Sequence, residues 1–190
     1  PEMGDSLVAE TGPIVVEPHV QAPLFSPDTA GPHENSVEVR LSSETPGAVI
    51  YYTTDMSQPS ESSTVYDEAR TGPVVLTRSG KVVKAMARAD RMAPSQVTQS
   101  VAYVLEASAP TVTPNGGKYV DSVEVTLKSA TPEAMIHFTV DGTDPDETSP
   151  EYHAPFVMSL TDKVIKAIAV GRHLANSKVT ASTEFVITAS

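Results

Sequence analysis

The 190-residue sequence has no cysteine and no tryptophan. The first absence removes disulfides, thiolate nucleophiles and cysteine-type zinc sites together. It leaves the compartment open, since a chain without cysteine is as stable outside a cell as inside. The second, with only 4 Phe and 6 Tyr, leaves few rings to serve as sugar-stacking platforms. Bases are scarce as well: 13 Lys and Arg stand against 24 Asp and Glu, for a net charge of −11. That balance opposes sequence-independent binding to a phosphate backbone, so nucleic acid is not an expected partner. No uncharged apolar run approaches the roughly 20 residues of a membrane helix, and no charged-then-apolar leader opens the chain, so no membrane insertion is expected. Leu is thin, with 8 residues against 25 Val and 20 Thr, and the 16 Pro exceed the roughly 5% average. That composition favours strands and turns over helices. Apolar content of 39% suffices for packed cores, and a start at Pro1 without Met reads as a segment of something longer.

What the sequence does contain is an internal repeat. Residues 36–66 align with residues 122–152 at a constant offset of 86. Identical pairs include Val37/Val123, Val39/Val125, Leu41/Leu127, Thr45/Thr131, Ile50/Ile136, Asp55/Asp141, Pro59/Pro145 and Tyr66/Tyr152. Upstream, Ala22-Pro23 matches Ala109-Pro110 at an offset of 87; downstream, Val82, Lys84, Ala85, Ser95 and Tyr103 match Val164, Lys166, Ala167, Ser177 and Phe185 at an offset of 82. The four extra residues of the first repeat fall between Tyr66 and Pro73, as a surface-loop insertion would. The division is therefore an acidic tail over residues 1–21, a first unit over 22–106 and a second over 107–190. Each unit is near the length at which one sandwich folds alone. The tail carries four acids and no bases and is expected to be flexible, with Ile14, Val15 and Val16 able to add an edge strand. The connection at Glu106-Ala107-Ser108 is short and is stiffened by Pro110, which predicts a semi-rigid rod.

Within each unit the apolar period is two. Val37-Glu38-Val39-Arg40-Leu41 and its counterpart from Val123 alternate as a half-buried strand does. In the next strand Ile50, Tyr52 and Thr54, with Ile136, Phe138 and Val140, form the expected inward face. Tyr51/His137, Thr53/Thr139 and Asp55/Asp141 are expected to look outward. Further short strands are expected near residues 74–77, 82–88 and 97–105, and no segment holds an apolar stripe long enough for a regular helix. The fold class is all-β: two tandem antiparallel sandwiches of immunoglobulin-like type joined by a short linker.

The run from Ile136 through Asp141-Gly142-Thr143-Asp144-Pro145, then Tyr152, Lys166-Ala167-Ile168-Ala169 and Ser177, resembles the chitobiase/β-hexosaminidase C-terminal-type domain. The first unit matches with Tyr51-Tyr52-Thr53-Thr54-Asp55, Pro59, Tyr66, Lys84-Ala85-Met86-Ala87 and Ser95. It departs at Met56, where the pattern has Gly; if that position needs a positive φ, Met56 implies a reshaped turn. The resemblance implies a sandwich of the fibronectin III sort and an accessory, non-catalytic role.

Chemistry-bearing clusters are thin. His19, His33, His137, His153 and His173 show no metal-pair spacing and read as ordinary surface residues. Neither a nucleophile elbow nor a phosphate loop occurs. Glu38/Glu124, Asp55/Asp141 and Glu61/Glu147 could supply carboxylates for glycoside cleavage, but they fall on an exposed strand face or in a loop. Asp141, Asp144, Asp146 and Glu147 form the acidic cluster most like a calcium site, yet their spacing fits no calcium loop, and the alternative is an Asx-type turn. No catalytic, cofactor-binding or metal-binding residue is assigned. The structural turn motif comprises Asp55, Pro59, Tyr66, Asp141, Gly142, Pro145 and Tyr152. Tyr51, the outward strand aromatic, and Asp67, Glu68 and Arg70 of the inserted loop are the candidate contact surface. The expected function is a non-catalytic spacer or protein-interaction segment of a larger chain. The absence of a glycosylation sequon at Asn35, Asn115 and Asn176 is compatible with an intracellular scaffold, a cytoskeletal one included, but three Asn are too few to decide the compartment. The alternative is a carbohydrate-binding accessory module of a secreted glycoside hydrolase.

Overall fold

The computed structural model describes residues 18–190; the edge strand expected at residues 14–16 lies outside them. The first repeat runs β1 (Leu24–Ser26), β2 (His33–Glu34), β3 (Val37–Ser42), β4 (Val49–Thr53), β5 (Thr64–Val65), α1 (Glu68–Thr71), β6 (Val74–Leu76), β7 (Lys84–Arg88), β8 (Thr98–Gln99) and β9 (Leu105–Glu106). The second runs β10 (Thr111–Thr113), β11 (Gly117–Val120), β12 (Val123–Lys128), β13 (Met135–Thr139), β14 (Phe156–Met158), β15 (Lys166–Val170), β16 (Thr180–Ala181) and β17 (Phe185–Thr188). A β1-β3-β6 sheet lies over a β5-β4-β7-β8 sheet in the first repeat, and β10-β12-β14 over β13-β15-β16 in the second. Strand pairs in these sheets are antiparallel, while β2 with β9 and β11 with β17 are parallel. These are two immunoglobulin-like sandwiches.

The period-two pattern explains the layers. β3 alternates buried and exposed along its whole length, so Val37, Val39 and Leu41 enter the core while Glu38 and Arg40 face water. Val39 and Val125, both fully buried, each contribute about 1.5–3 kcal/mol by leaving water. Ile50 and Ile136 are buried inward, and Tyr52 and Phe138 pack on the two cores. Tyr103 and Phe185 are the largest fully buried side chains. The first core also takes Val20, a residue expected in the flexible tail but buried and bonded to the Ala93 carbonyl at 3.0 Å, so the first sandwich begins before residue 22; Leu174 of the second repeat packs on the same core.

Three expectations need correction. The strands expected over 82–88 and 97–105 are shorter, because buried serines replace stretches of ladder. Ser95 Oγ accepts the Ala87 N–H at 2.8 Å and Ser100 Oγ accepts that of Val83 at 3.0 Å. Ser177 and Ser182 do the same for Ala169 and Ile165. A side-chain acceptor satisfies a buried N–H as a neighbouring carbonyl would, so the chain can turn away without an orphaned donor. Second, His137 does point to the outer face of β13 but is 7% exposed, because its Nδ1 bonds the Ser149 carbonyl oxygen at 2.8 Å and the loop folds over it. Third, the insertion forms one helical turn, α1, with no buried residue. Capping rather than an apolar stripe holds it: the Asp67 carboxylate accepts the Arg70 N–H and Gly72 ends the turn at φ 74°.

The junction between the repeats is hydrogen-bonded on both sides. β9 pairs with β2 of the first repeat, and Glu106 bridges Ala175 of the second. Ala175 donates to the Leu105 carbonyl at 2.8 Å and accepts the Ala107 N–H at 2.9 Å. Ser79 N–H reaches the His173 carbonyl at 2.9 Å, and Leu174 packs on the core of the first repeat. Beside this strand Asn35 donates to Ser108 Oγ at 2.8 Å and accepts from Thr131 Oγ1 at 2.5 Å. Lys178 lies 3.6 Å from Glu106. The connection thus pairs with β2 on one side and meets Ala175 in a single parallel bridge on the other.

Candidate contact surface

The two turn motifs are built alike. Asp55 Oδ1 accepts the Ser57 hydroxyl at 2.5 Å and its N–H at 3.0 Å, and Asp141 Oδ1 accepts the Thr143 hydroxyl at 2.6 Å and its N–H at 3.1 Å. Thr53 and Thr139 close each loop by donating to the carbonyls of Ser57 and Thr143. These bonds from Ser57 and Thr143 hold the Asp55 and Asp141 carboxyls below their ordinary range. Gly142 sits at φ 80° and Met56 at φ 73°, so the turn expected to be reshaped keeps its shape and Met56 bears the strain. Pro59 and Pro145 are buried after the turn. Tyr66 and Tyr152 then return through N–H bonds to the Ile50 and Ile136 carbonyls and set their rings edge-on to Tyr52 and Phe138.

The acidic loop spends its carboxylates internally. Asp144 pairs with Lys166 at 2.7 Å, and Asp146 accepts the Thr148 N–H and hydroxyl, which keep its carboxyl below the ordinary range. Glu147 accepts from Asn176 at 2.9 Å. Among the described residues no group of three or more His, Asp or Glu is arranged around a common point for a metal ion.

Tyr51 lies half-buried in an open groove of about 1010 Å³ on the outer face of the first repeat. Val49, Glu61, Arg88, Asp90 and Arg91 share its walls, and Arg88 is ion-paired to Glu61. At the matching place in the second repeat the covered His137 replaces the tyrosine. The inserted residues lie on a different sheet: Glu68 binds Arg40 of β3 and accepts from the Tyr66 hydroxyl, and Asp67 caps α1. Of the four contact candidates Asp67 and Glu68 are engaged within the fold, while the Tyr51 and Arg70 side chains make no hydrogen bond or ion pair among the described residues. The structure does not bring Tyr51 together with Asp67, Glu68 and Arg70. Sequence reasoning missed the groove because Arg88, Asp90 and Arg91 are outward residues of a strand end and turn, unlike their counterparts Val170, Arg172 and His173.

No curated protein matches the chain. Among solved structures, the fibronectin(III)-like modules of Clostridium thermocellum CbhA align over 88% of this chain and 94% of theirs, at 16% identity and a TM-score of 0.32. A structure described as Rst D1-D2 aligns over 90% and 100%, at 10% identity and a TM-score of 0.29. The chitobiase/beta-hexosaminidase C-terminal domain profile matches residues 29–100 and, again, residues 114–182. With the match falling once on each sandwich and covering most of the sequence, the chain belongs to the chitobiase/beta-hexosaminidase C-terminal domain family.

Proposed function

We propose that the chain is a non-catalytic spacer that holds two sandwich units, residues 22–106 and 107–190, in one fixed orientation and offers their outer surfaces to a protein partner. The family is described as a C-terminal domain of chitobiase and beta-hexosaminidase, which supports a non-catalytic module. The observation that carries the spacer reading is the junction: backbone bonds from Ala175 to residues 105 and 107, with the Asn35–Ser108–Thr131 contacts, leave no free hinge residue between the repeats. Residual dipolar couplings on the full chain test it. Both units are expected to report one alignment tensor; two different tensors would mean a flexible tether and would sink the spacer reading.

One observation favours a carbohydrate as the bound partner instead. The Tyr51 groove combines a ring with an Arg88–Glu61 pair and Asp90, a mixture of stacking surface and polar groups that suits a sugar. Calorimetric titration with chitin and cellulose oligosaccharides separates the two. Micromolar binding abolished in Tyr51→Ala would replace the protein partner with a glycan, whereas no heat of binding supports the spacer.

A further inference from the structure

The contacts that hold the two repeats together are duplicated at the far end of the second repeat, where no other described residue takes them up. Asn35 corresponds to Asp121, and both hold positive φ, 60° and 62°. β11 and β17 pair in the same parallel register as β2 and β9, with Tyr119 opposite Ile187 and Val120 opposite Thr188. The Asp121 N–H bonds the Thr188 carbonyl at 2.8 Å as the Asn35 N–H bonds that of Glu106 at 2.9 Å. Thr161 Oγ1 accepts the Ile187 N–H at 3.1 Å as Ser79 Oγ accepts that of Leu105 at 3.0 Å. The last residues repeat the junction itself: Ala189-Ser190 stand where Ala107-Ser108 do, and the Ser190 N–H already donates to Asp121 Oδ1 at 3.0 Å.

Strand alternation fixes which groups remain open. Because the Thr188 carbonyl turns inward to Asp121, that of Ile187 turns to the opposite edge. At the first junction the same group, on Leu105, is taken by Ala175. Around this edge lie Val120, 61% exposed, and Leu160, 54% exposed, apolar surface at the very end of the sandwich. The complementary face is present on both repeats. Thr45 matches Thr131, and Met92 matches Leu174, the side chain that packs on the preceding core; Arg91 and His173 share a left-handed φ of 60° and 63°.

We propose that this C-terminal face, built by Val120, Asp121, Leu160, Thr161 and residues 187–190, is a docking face for a further sandwich unit of the same family whose chain continues from Ser190. The arrangement is heterologous and open-ended, so units add head to tail along one axis. A threonine hydroxyl of the added unit donates to the Asp121 carboxylate, as Thr131 does to Asn35. Its backbone at the position of Ala175 pairs with residues 187 and 189, and its Met92- or Leu174-like side chain covers the exposed apolar edge. A separate copy of the chain fits less well. Its own residues 18–21 hold the position that residues 187–190 would need, with Val20 buried in its core and bonded to Ala93.

The proposal rests on the spacer reading of the first junction, and the test separates the two. The full chain is extended after Ser190 by a second copy of residues 109–190. With no native cysteine, spin labels go singly onto exposed edge-strand positions. Val75→Cys with Val157→Cys reports the first junction; Val157→Cys with its copy in the added unit reports the new one. Two equally narrow distance distributions are expected, with Asp121→Ala broadening only the new one and Asn35→Ala only the first. A narrow first and a broad second distribution would overturn the docking face while leaving the spacer intact; a broad first distribution would overturn both. A narrow second distribution unmoved by Asp121→Ala with Leu160→Asp would also overturn it. So would concentration-dependent self-association of the unextended chain that Asp121→Ala abolishes, since the occupant would then be a second copy.

Discussion

Asn35 makes the junction measurable. Its side chain donates to Ser108 Oγ and accepts from Thr131 Oγ1, and its backbone sits at φ 60°, so replacement has two separable parts. Asn35→Gly keeps the left-handed conformation and deletes both bonds. At about 0.5–1.5 kcal/mol each the sum is about 1–3 kcal/mol. The lower half is expected, because neither partner is stranded: Ser108 Oγ still donates to Glu34, and Thr131 Oγ1 still accepts the Ser108 N–H. Asn35→Ala adds the left-handed penalty of a Cβ, about 1–2 kcal/mol, for a total of about 2–4 kcal/mol. Asn35→Asp keeps the acceptor for Thr131, as Asp121 would for its own partner, and should lose least. Urea unfolding of the full chain gives the three values. A double-mutant cycle of Asn35→Gly with Thr131→Val should return a coupling of about 1 kcal/mol. If Asn35→Gly matches the wild type and the coupling is zero, the side chain contributes nothing across the junction and the reasoning fails.

Three further outcomes follow from single features. Met56→Gly removes a strained φ of 73° from a side chain that is 56% exposed, so it should stabilise the first repeat by about 1 kcal/mol in a denaturant titration; a loss would show that Met56 packs. Ser182→Ala leaves the Ile165 N–H without its side-chain acceptor, and thermal unfolding should report about 1–3 kcal/mol lost. Finally, Asp55, Asp141 and Asp146 have folded values below their ordinary range, so their contribution is fully present above the unfolded carboxylate pKa of about 3.9. It is lost as pH falls through the folded values. Melting temperatures between pH 6 and pH 2 should therefore drop less steeply for Asp141→Asn than for the parent, and parallel curves would remove Asp141 from the acid transition.

Much of the sandwich was legible because its signals are local and doubled. Val37-Glu38-Val39-Arg40-Leu41 announces a half-buried strand by itself, and its recurrence at Val123 turns a pattern into a fold. The turn at Asp141 was legible for the same reason, since a short acceptor two residues before its donor needs no distant partner. Where the reading failed, the deciding partner was remote in sequence. His137 alternates outward correctly, but its burial depends on the Ser149 carbonyl. The strand near 97–105 looked continuous because Ser95 and Ser100 read as ordinary polar residues, whereas each accepts an N–H 8 or 17 residues away.

The junction left almost no trace in the sequence, and the hydrogen bonds show why. The Thr131 hydroxyl that reaches Asn35 also accepts the Ser108 N–H at 2.7 Å, and Thr45 accepts that of Gln21 at 2.8 Å in the first repeat. The bridge between Glu106 and Ala175 is likewise the counterpart of the one between His19 and Ala93. Each repeat therefore needs this threonine and this parallel bridge to anchor its own leading strand, whether or not a neighbour is present. In the proposed spacer reading, coupling arises because the segment that leads into one sandwich also closes the one before it. The side chains that reach across the contact, Asn35 and Leu174, differ from their counterparts Asp121 and Met92 only by exchanges that keep an acceptor or an apolar side chain. A sequence comparison scores such exchanges as mismatches, while the geometry treats them as the same bond and the same packing.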